Sequence, residues 1–393
     1  MRLSAFFARL VLFTATVFLP ALGFAYDPDA VDTLKHAHGD SAAAHQEHAA
    51  GEHKTGFDPG EMIMEHIADA HDWHLFGHTH IPLPVIIKSD KGLEIFSSSN
   101  FVDHETHAHV PYKGKHYTYA LHEGKVVVVD GSGVEDEAAT HTLLDLSITK
   151  NVVTIFVLVA LMLFVFLSVA KSYKQRPGQA PKGLQSFVEP FIVFIRDDVA
   201  KASIGPKYAR FMPYLLTVFF FIFFSNLLGL IPIFPGGANL TGNIAITMVL
   251  AVITFIITVI NGNGHYWRHI FAMPGVPAGV LLILTPIEIL GMFLRPFVLM
   301  IRLFANISAG HIIALAFYSL IFIFGDNGNN VGAGLGVSVV SIAFTVFMFV
   351  MELLVAFLQA YVFTLLSAIY FGSAVEEHHH EEHDHEHGHA HAH

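Results

Sequence analysis

The side chains in this chain that could do chemistry stand where charge is costly. Two apolar runs, residues 276–324 and 335–371, hold only Glu288, Arg295, Arg302, His311 and Glu352 as ionisable groups, with Asp326 in the polar segment between them. An arginine at the centre of a bilayer costs ~2.5–3.5 kcal/mol on insertion scales, so such groups face protein or water and mark an ion path. Glu288, Arg295 and Arg302 recur every seven residues, nearly two helical turns, and Asn306 extends that face by four; Glu352 and Gln359 are also seven apart. Each run therefore carries one polar stripe. His and Glu exchange protons near neutral pH, and Gln orients water. Arginine does not practically deprotonate, so Arg302 ends a proton wire, and it favours the ionised form of a carboxylate brought near it.

A hairpin folded at residue 331 sets Arg302 level with Gln359 and His311 level with Glu352, each to within about two residues, or ~3 Å of rise. The pairing predicts His311 and Glu352 toward the extracytoplasmic side, Arg302 and Gln359 near the middle, and Glu288 toward the cytoplasm. Gln359 cannot neutralise Arg302. The simplest mechanism has two half-paths, one per membrane face, separated by Arg302, with its counter-charge on another subunit.

These residues require elements that cross a membrane. The 393-residue chain is 53% hydrophobic and 14% charged, and its mean hydropathy is +0.54. Soluble domains are nearer a quarter charged. Cysteine is absent, which excludes disulfides and thiolate metal sites. The formal charge of −12 is split, with acid- and His-rich ends and basic residues gathered around 171–210; that pattern speaks against nucleic-acid partners and carries topological information. Residues 1–25 read as a signal peptide: Arg2 and Arg9, an apolar stretch, then Gly23-Phe24-Ala25. Residues 26–80 form a His-rich extracytoplasmic segment in which the rhythm of Met62, Ile63, Ile67, Trp73 and Leu75 predicts one short helix. Residues 81–148 predict a small β-hairpin domain, with strand signals at 85–87, 117–119 and 126–129 and turns at Asp90-Lys91-Gly92 and Glu123-Gly124.

The membrane domain is expected over 149–375. Residues 152–170 carry no charge and are followed by Lys171, Lys174, Arg176 and Lys182, which places that end in the cytoplasm. In 184–199, Leu184, Phe187, Val188, Phe191, Ile192, Ile195 and Val199 form a stripe, with Gln185, Glu189, Arg196 and Asp197 off it, predicting an amphipathic helix on the cytoplasmic face. Residues 211–234 and 243–260 form a pair of spans. The two long runs exceed what ~30 Å of hydrocarbon needs, and no proline in them sits in a polar turn, so each is expected to be one steeply tilted helix. The fold class is thus an all-α polytopic membrane protein. It has five membrane helices, the last two an antiparallel hairpin, plus the interfacial helix and a small extracytoplasmic β-containing domain. The His- and acid-rich tail, 376–393, is expected in the cytoplasm.

The stretches Pro286-Ile287-Glu288, Arg295-Pro296, Ile301-Arg302-Leu303-Phe304-Ala305-Asn306 and Ala309-Gly310-His311 resemble subunit a of the F-type ATP synthase. So do residues 357–363, 226–232, and Glu189, Phe194 and Ile204-Gly205 in the interfacial helix. The resemblance covers about 140–375. It implies a proton-translocating stator subunit in a bacterial inner membrane, not an enzyme by itself, that abuts a ring of c subunits and meets subunit b and membrane lipids. It also implies that Arg302 faces the ring carboxylate and that His311 and Glu352 line the extracytoplasmic half-channel. Gln359 and Asn306 match positions beside the arginine, and Glu288 one near the cytoplasmic exit. In some relatives the His and Glu positions are exchanged. Ala305 departs from a usual glycine, and residues 26–130 exceed the family's usual N-terminus.

No cofactor or defined metal site is implied. The His-rich ends suit loose Zn²⁺ or Ni²⁺ binding but have no ligand spacing. A His-rich metal-ion transporter is the competing reading. It needs several ligands converging in the spans, whereas the long runs offer one histidine and a fixed cation that repels divalent ions.

Overall fold

A computed structural model describes residues 69–376, apart from 77–78, 103–109, 123, 232–237, 272, 274–275 and 326–329. The expected signal peptide, the His-rich segment up to 68 and the tail from 377 lie outside the described residues.

Among the described residues strands come first: β1 (Asp72–Phe76), β2 (Thr79–Pro82), β3 (Pro84–Ser89), β4 (Gly92–Ser97), β5 (Tyr112–Lys113), β6 (Thr118–His122), β7 (Lys125–Val129) and β8 (Leu144–Asp145). They make a β1-β2 ribbon and two three-stranded antiparallel sheets, β4-β3-β8 and β5-β6-β7. Alternation puts Val85 and Ile87 of β3 on one face, where they meet Val126 and Val128 of β7, Phe101 and Tyr119 in the core. The expected turns are present, with Gly92 at φ +141° and Gly124 at φ +80°, conformations that glycine adopts without steric cost. Glu94 faces inward and accepts from the backbone N–H groups of Lys115 and His116 and from the Tyr119 hydroxyl. Burial pushes its carboxyl up, but those donors outweigh it and hold the pKa below the usual range.

One expectation fails. The stretch read as a short helix is, over its described part, strand β1, paired through Trp73↔Ile81 and His74↔His80. A nearby partner strand and the burial of Trp73 outweigh a helix-like spacing that rested on few residues. The β region accordingly begins before residue 81.

The β region is joined to the membrane helices through buried polar groups. The Asp69 carboxylate accepts from Asn151 N–H (3.0 Å), Lys150 N–H donates to Ala70 O (2.8 Å), and His71 Nε2 meets Asp145 Oδ2 at 3.2 Å. Orphan donors of the first helical turn are thereby satisfied.

The helices are α1 (Lys150–Gln175), α2 (Leu184–Phe194), α3 (Tyr208–Leu230), α4 (Ile244–Asn261), α5 (Gly264–Phe271), α6 (Ala278–Phe324) and α7 (Val331–Val375). Among the described residues, five stretches are long and apolar enough to cross a membrane: Lys150–Gln175, Leu184–Leu230, Ile244–Asn261, Gly279–Phe324 and Gly332–Val375. The chain is a multi-pass membrane protein. Its centre is α3, apolar on all sides and buried by its neighbours, with Phe219, Phe220 and Phe221 packed among Leu158, Phe166, Val188, Ala360 and Phe363. Between α2 and α3 the helix widens into a π-turn, Ile195–Lys201, where the sequence predicts regular helix to 199. The expected stripe is also partly rotated. Val188, Ile195 and Val199 are buried, whereas Leu184 and Phe187 are exposed, and Gln185 is buried with its amide 3.3 Å from Glu189.

Both long runs are single helices of 47 and 45 residues, and Pro286 and Pro296 are absorbed without a break. At ~1.5 Å per residue they reach about 70 Å. Their inner ends pack on the bundle. Gly372 of α7 lies against the Ala202–Ile204 backbone so closely that a Cβ would stand 2.0 Å from Ser203 O. Gly372→Ala, which in an open helix stabilises by about 1 kcal/mol, is here expected to destabilise by about 1–3 kcal/mol or to block assembly, measured as thermal stability of the assembled complex. Because the folded pKa of Glu94 is depressed, its contribution is complete above the ordinary glutamate range and is lost as pH falls through the folded value. Glu94→Gln is expected to cost the β region about 2 kcal/mol at neutral pH, read by hydrogen exchange at Lys115 and His116, with the difference shrinking in acid.

Candidate ion-translocation site

The polar side chains of α6 and α7 meet in the outer half of the hairpin. His311 Nδ1 lies 3.2 Å from Glu352 Oε1, at the register expected from a fold at 331, and Phe317 stacks on Phe344 in the same register at 4.9 Å. Gly310 makes room for the pair, since a Cβ there would stand 3.0 Å from Glu352 Oε1. Both side chains are mostly covered, with 17% and 14% of their surface exposed. They are therefore shielded from bulk water yet reachable by individual water molecules.

That access is a cavity of about 70 Å³, lined by His311, Glu352, Asn306, Asn226, Asn239 and Thr241 among others. At roughly 10–15 Å³ of centre-accessible space per water it holds several molecules beside polar partners. Its inner wall is a network. The Thr241 hydroxyl donates to Asn226 Oδ1, Asn226 Nδ2 donates to Ala356 O at 3.4 Å, and the Gly242 amide donates to Asn239 Oδ1 at 2.9 Å. Sequence reasoning gave Asn226, Asn239 and Thr241 no role in the site, because it followed the polar residues of the two long runs and these three lie outside them. An amide inside the apolar run 211–234 was a readable signal.

Arg302 stands elsewhere on α6. Leu299, Leu303 and Ile307 turn into the bundle, while Arg302 is exposed on the protein surface and has no hydrogen bond or ion pair among the described residues. Asn306, one turn on, lies on that exposed face and also lines the cavity, so the surface bearing Arg302 and the His311–Glu352 pocket are contiguous. The sequence sets Arg302 level with Gln359, and the two differ in burial. Gln359 is 8% exposed, and no hydrogen bond joins the two. Equal height along a hairpin leaves rotation about each helix axis free, and here Gln359 turns inward while Arg302 turns outward.

Toward the other end, Glu288 and Arg295 are half-buried. The Arg295 guanidinium lies over the Tyr370 ring of α7 at 5.6 Å, and a small crevice joins Arg295 to Thr254, Thr258, Tyr266 and Tyr370. Burial pushes the Tyr266 phenol up, with Arg295 pulling it down and Glu288 raising it, so both groups lie within electrostatic reach of that hydroxyl. Titratable side chains thus lie in two places along α6, at His311–Glu352 and at Glu288, with Arg295 and Arg302 between them.

Known proteins place this geometry. Residues 152–372 match the family model described as the ATP synthase A chain, and residues 62–146 match one described as a domain of unknown function (DUF8433). The chain is 42% identical over 242 residues to "ATP synthase subunit a" of Chloroherpeton thalassium, covering 60% of this chain and 69% of that protein. It is 38% identical over 356 residues to "ATP synthase subunit a 2" of Chlorobaculum tepidum, covering 88% and 82%. A third relative, "ATP synthase subunit a" of an Anaeromyxobacter species, is 33% identical over 352 residues, covering 85% and 75%. With more than half its length matched by that model, and with relatives aligned along nearly all of it, the chain belongs to the ATP synthase A chain family.

Proposed function

We propose that this chain is the proton-translocating stator subunit of the membrane sector of an F-type ATP synthase. In this reading it has no nucleotide site of its own and offers a ring of c subunits two offset half-channels. The observation that carries the reading is the contiguity through Asn306 of the His311–Glu352 cavity with the exposed face bearing Arg302.

Protons enter from the extracytoplasmic side through water in the cavity and are held by the His311–Glu352 pair. From there a proton passes to a ring carboxylate, which becomes neutral and can move into lipid. On the other side the ring carboxylate releases its proton toward Glu288. Arg302 separates the two zones. At about 4 Å and an effective dielectric of ~20, its attraction for a carboxylate is ~4 kcal/mol, or about 3 pKa units. A carboxylate passing Arg302 is thereby held ionised, and no proton rides across from one half-path to the other. Gln359, buried in α7, supports the helix face behind the arginine. The orientation, with N-terminus outside and C-terminus inside a bacterial inner membrane, is supported by basic residues at one end of the bundle. Lys171 and Lys174 lie in the last turns of α1 and Arg176 caps it, and Lys207 reaches the Val375 carbonyl at 3.4 Å. Subunit b is the further stator partner in this reading.

Arg302→Ala in the assembled complex is expected to abolish ATP-driven proton pumping in vesicles while subunit stoichiometry is unchanged; pumping at the wild-type rate would overturn the assignment. Gly310→Ala displaces the Glu352 carboxylate and is expected to slow proton conduction through the ATPase-stripped membrane sector about threefold to tenfold, with assembly intact.

A further inference from the structure

Helix α5 is short, yet it is held more firmly than a connecting segment needs. Asn263 accepts from Tyr266 N–H at 2.8 Å to cap it, donates its own N–H to Ala374 O at 2.9 Å, and donates its side-chain amide to Glu376 O at 2.5 Å. Thr285 of α6 donates to Phe271 O at 3.2 Å. The inward face, Tyr266 and Ile270, packs on Ala374, Ile289 and Met292. The helix is therefore clamped to the inner ends of both α6 and α7.

Its outward face differs in kind. Arg268 and His269 are exposed, and the Trp267 and Phe271 rings lie nearly parallel at 5.9 Å, with Phe271 52% exposed. α5 joins the ends of two membrane-crossing stretches, α4 and α6, so connectivity alone sets it at the membrane surface. The neighbouring first turns of α6 continue the apolar surface outward through Val280, Leu282, Ile283 and Ile287. The same end of the bundle is basic: Lys207 and Arg210 open α3, and Lys207 bonds the last residue of α7. A strongly amphipathic helix lying in the interface, with aromatic rings at headgroup depth and cations outward, has the chemistry that binds anionic lipid.

We propose that α5 is an anchor for anionic phospholipid headgroups, with Arg268 and His269 meeting the phosphate and Trp267 and Phe271 seated at the acyl boundary. The site holds the inner ends of α6 and α7 at a fixed depth and does not depend on the path assigned to Arg302. It is tested on the assembled complex in vesicles carrying a photoactivatable phosphatidylglycerol or phosphatidylcholine, with labelled peptides mapped. Labelling of the peptide containing 264–271 is expected to be at least threefold stronger with phosphatidylglycerol, and Arg268→Gln is expected to reduce it to the phosphatidylcholine level. Equal labelling of 264–271 by the two lipids in the unaltered complex overturns the proposal, as does the absence of labelling there by either. The comparison in the unaltered complex decides the matter even where the variant fails to assemble.

Discussion

The placement of Arg302 constrains the rest of the described structure. Arg302 lies in a predominantly apolar helix, exposed, with no ion pair among the described residues. A guanidinium in such a place is tolerable only where water or another protein's carboxylate reaches it, so the surface around it is built for an encounter. The bundle serves that face. α3 fills the centre with phenylalanine, α7 presents small residues such as Ala360, Ala368 and Gly372 where helices approach closely, and the long α6 is held by its inward leucines so that Arg302 points away.

The same packing explains why the His311–Glu352 pair is buried and the arginine is not. His311 and Glu352 face each other across α6 and α7 and are shielded on the α3 side by Gly229 and Asn226. Shielding limits their water to the few molecules that a cavity of about 70 Å³ admits. A pair open to bulk solvent would exchange protons with either compartment, and a sealed one with neither.

Much of this was legible in the residues alone. The seven-residue spacing of Glu288, Arg295 and Arg302 and the pairing of His311 with Glu352 needed only the helical period and a hairpin. The five crossing stretches followed from apolar length. What escaped was rotational. Height along a hairpin does not say how far a side chain is covered, and Gln359 is buried where Arg302, level with it, is exposed. Gln185, placed off the apolar stripe, is buried beside Glu189 because the π-turn and the contact with α1 redefine which side of α2 is inside. Neutral amides were under-weighed because desolvating an amide is cheaper than desolvating a charge, yet Asn226 and Asn239 line the cavity. β1 was lost to a local helical rhythm that a strand two residues away overrides.

The length of α6 and α7 has a geometric consequence for how a proton gradient becomes turning. Helices of about 70 Å held within ~30 Å of hydrocarbon lie nearer the membrane plane than its normal, so depth changes by only ~0.6 Å per residue. Nine residues separate Arg302 from His311, which is ~13 Å along the helix but only ~6 Å in depth, the remainder being sideways. Arg302 and the His311–Glu352 pair are therefore set apart mainly sideways, and in the path we propose a carboxylate moving between them would travel across the membrane plane more than through its depth.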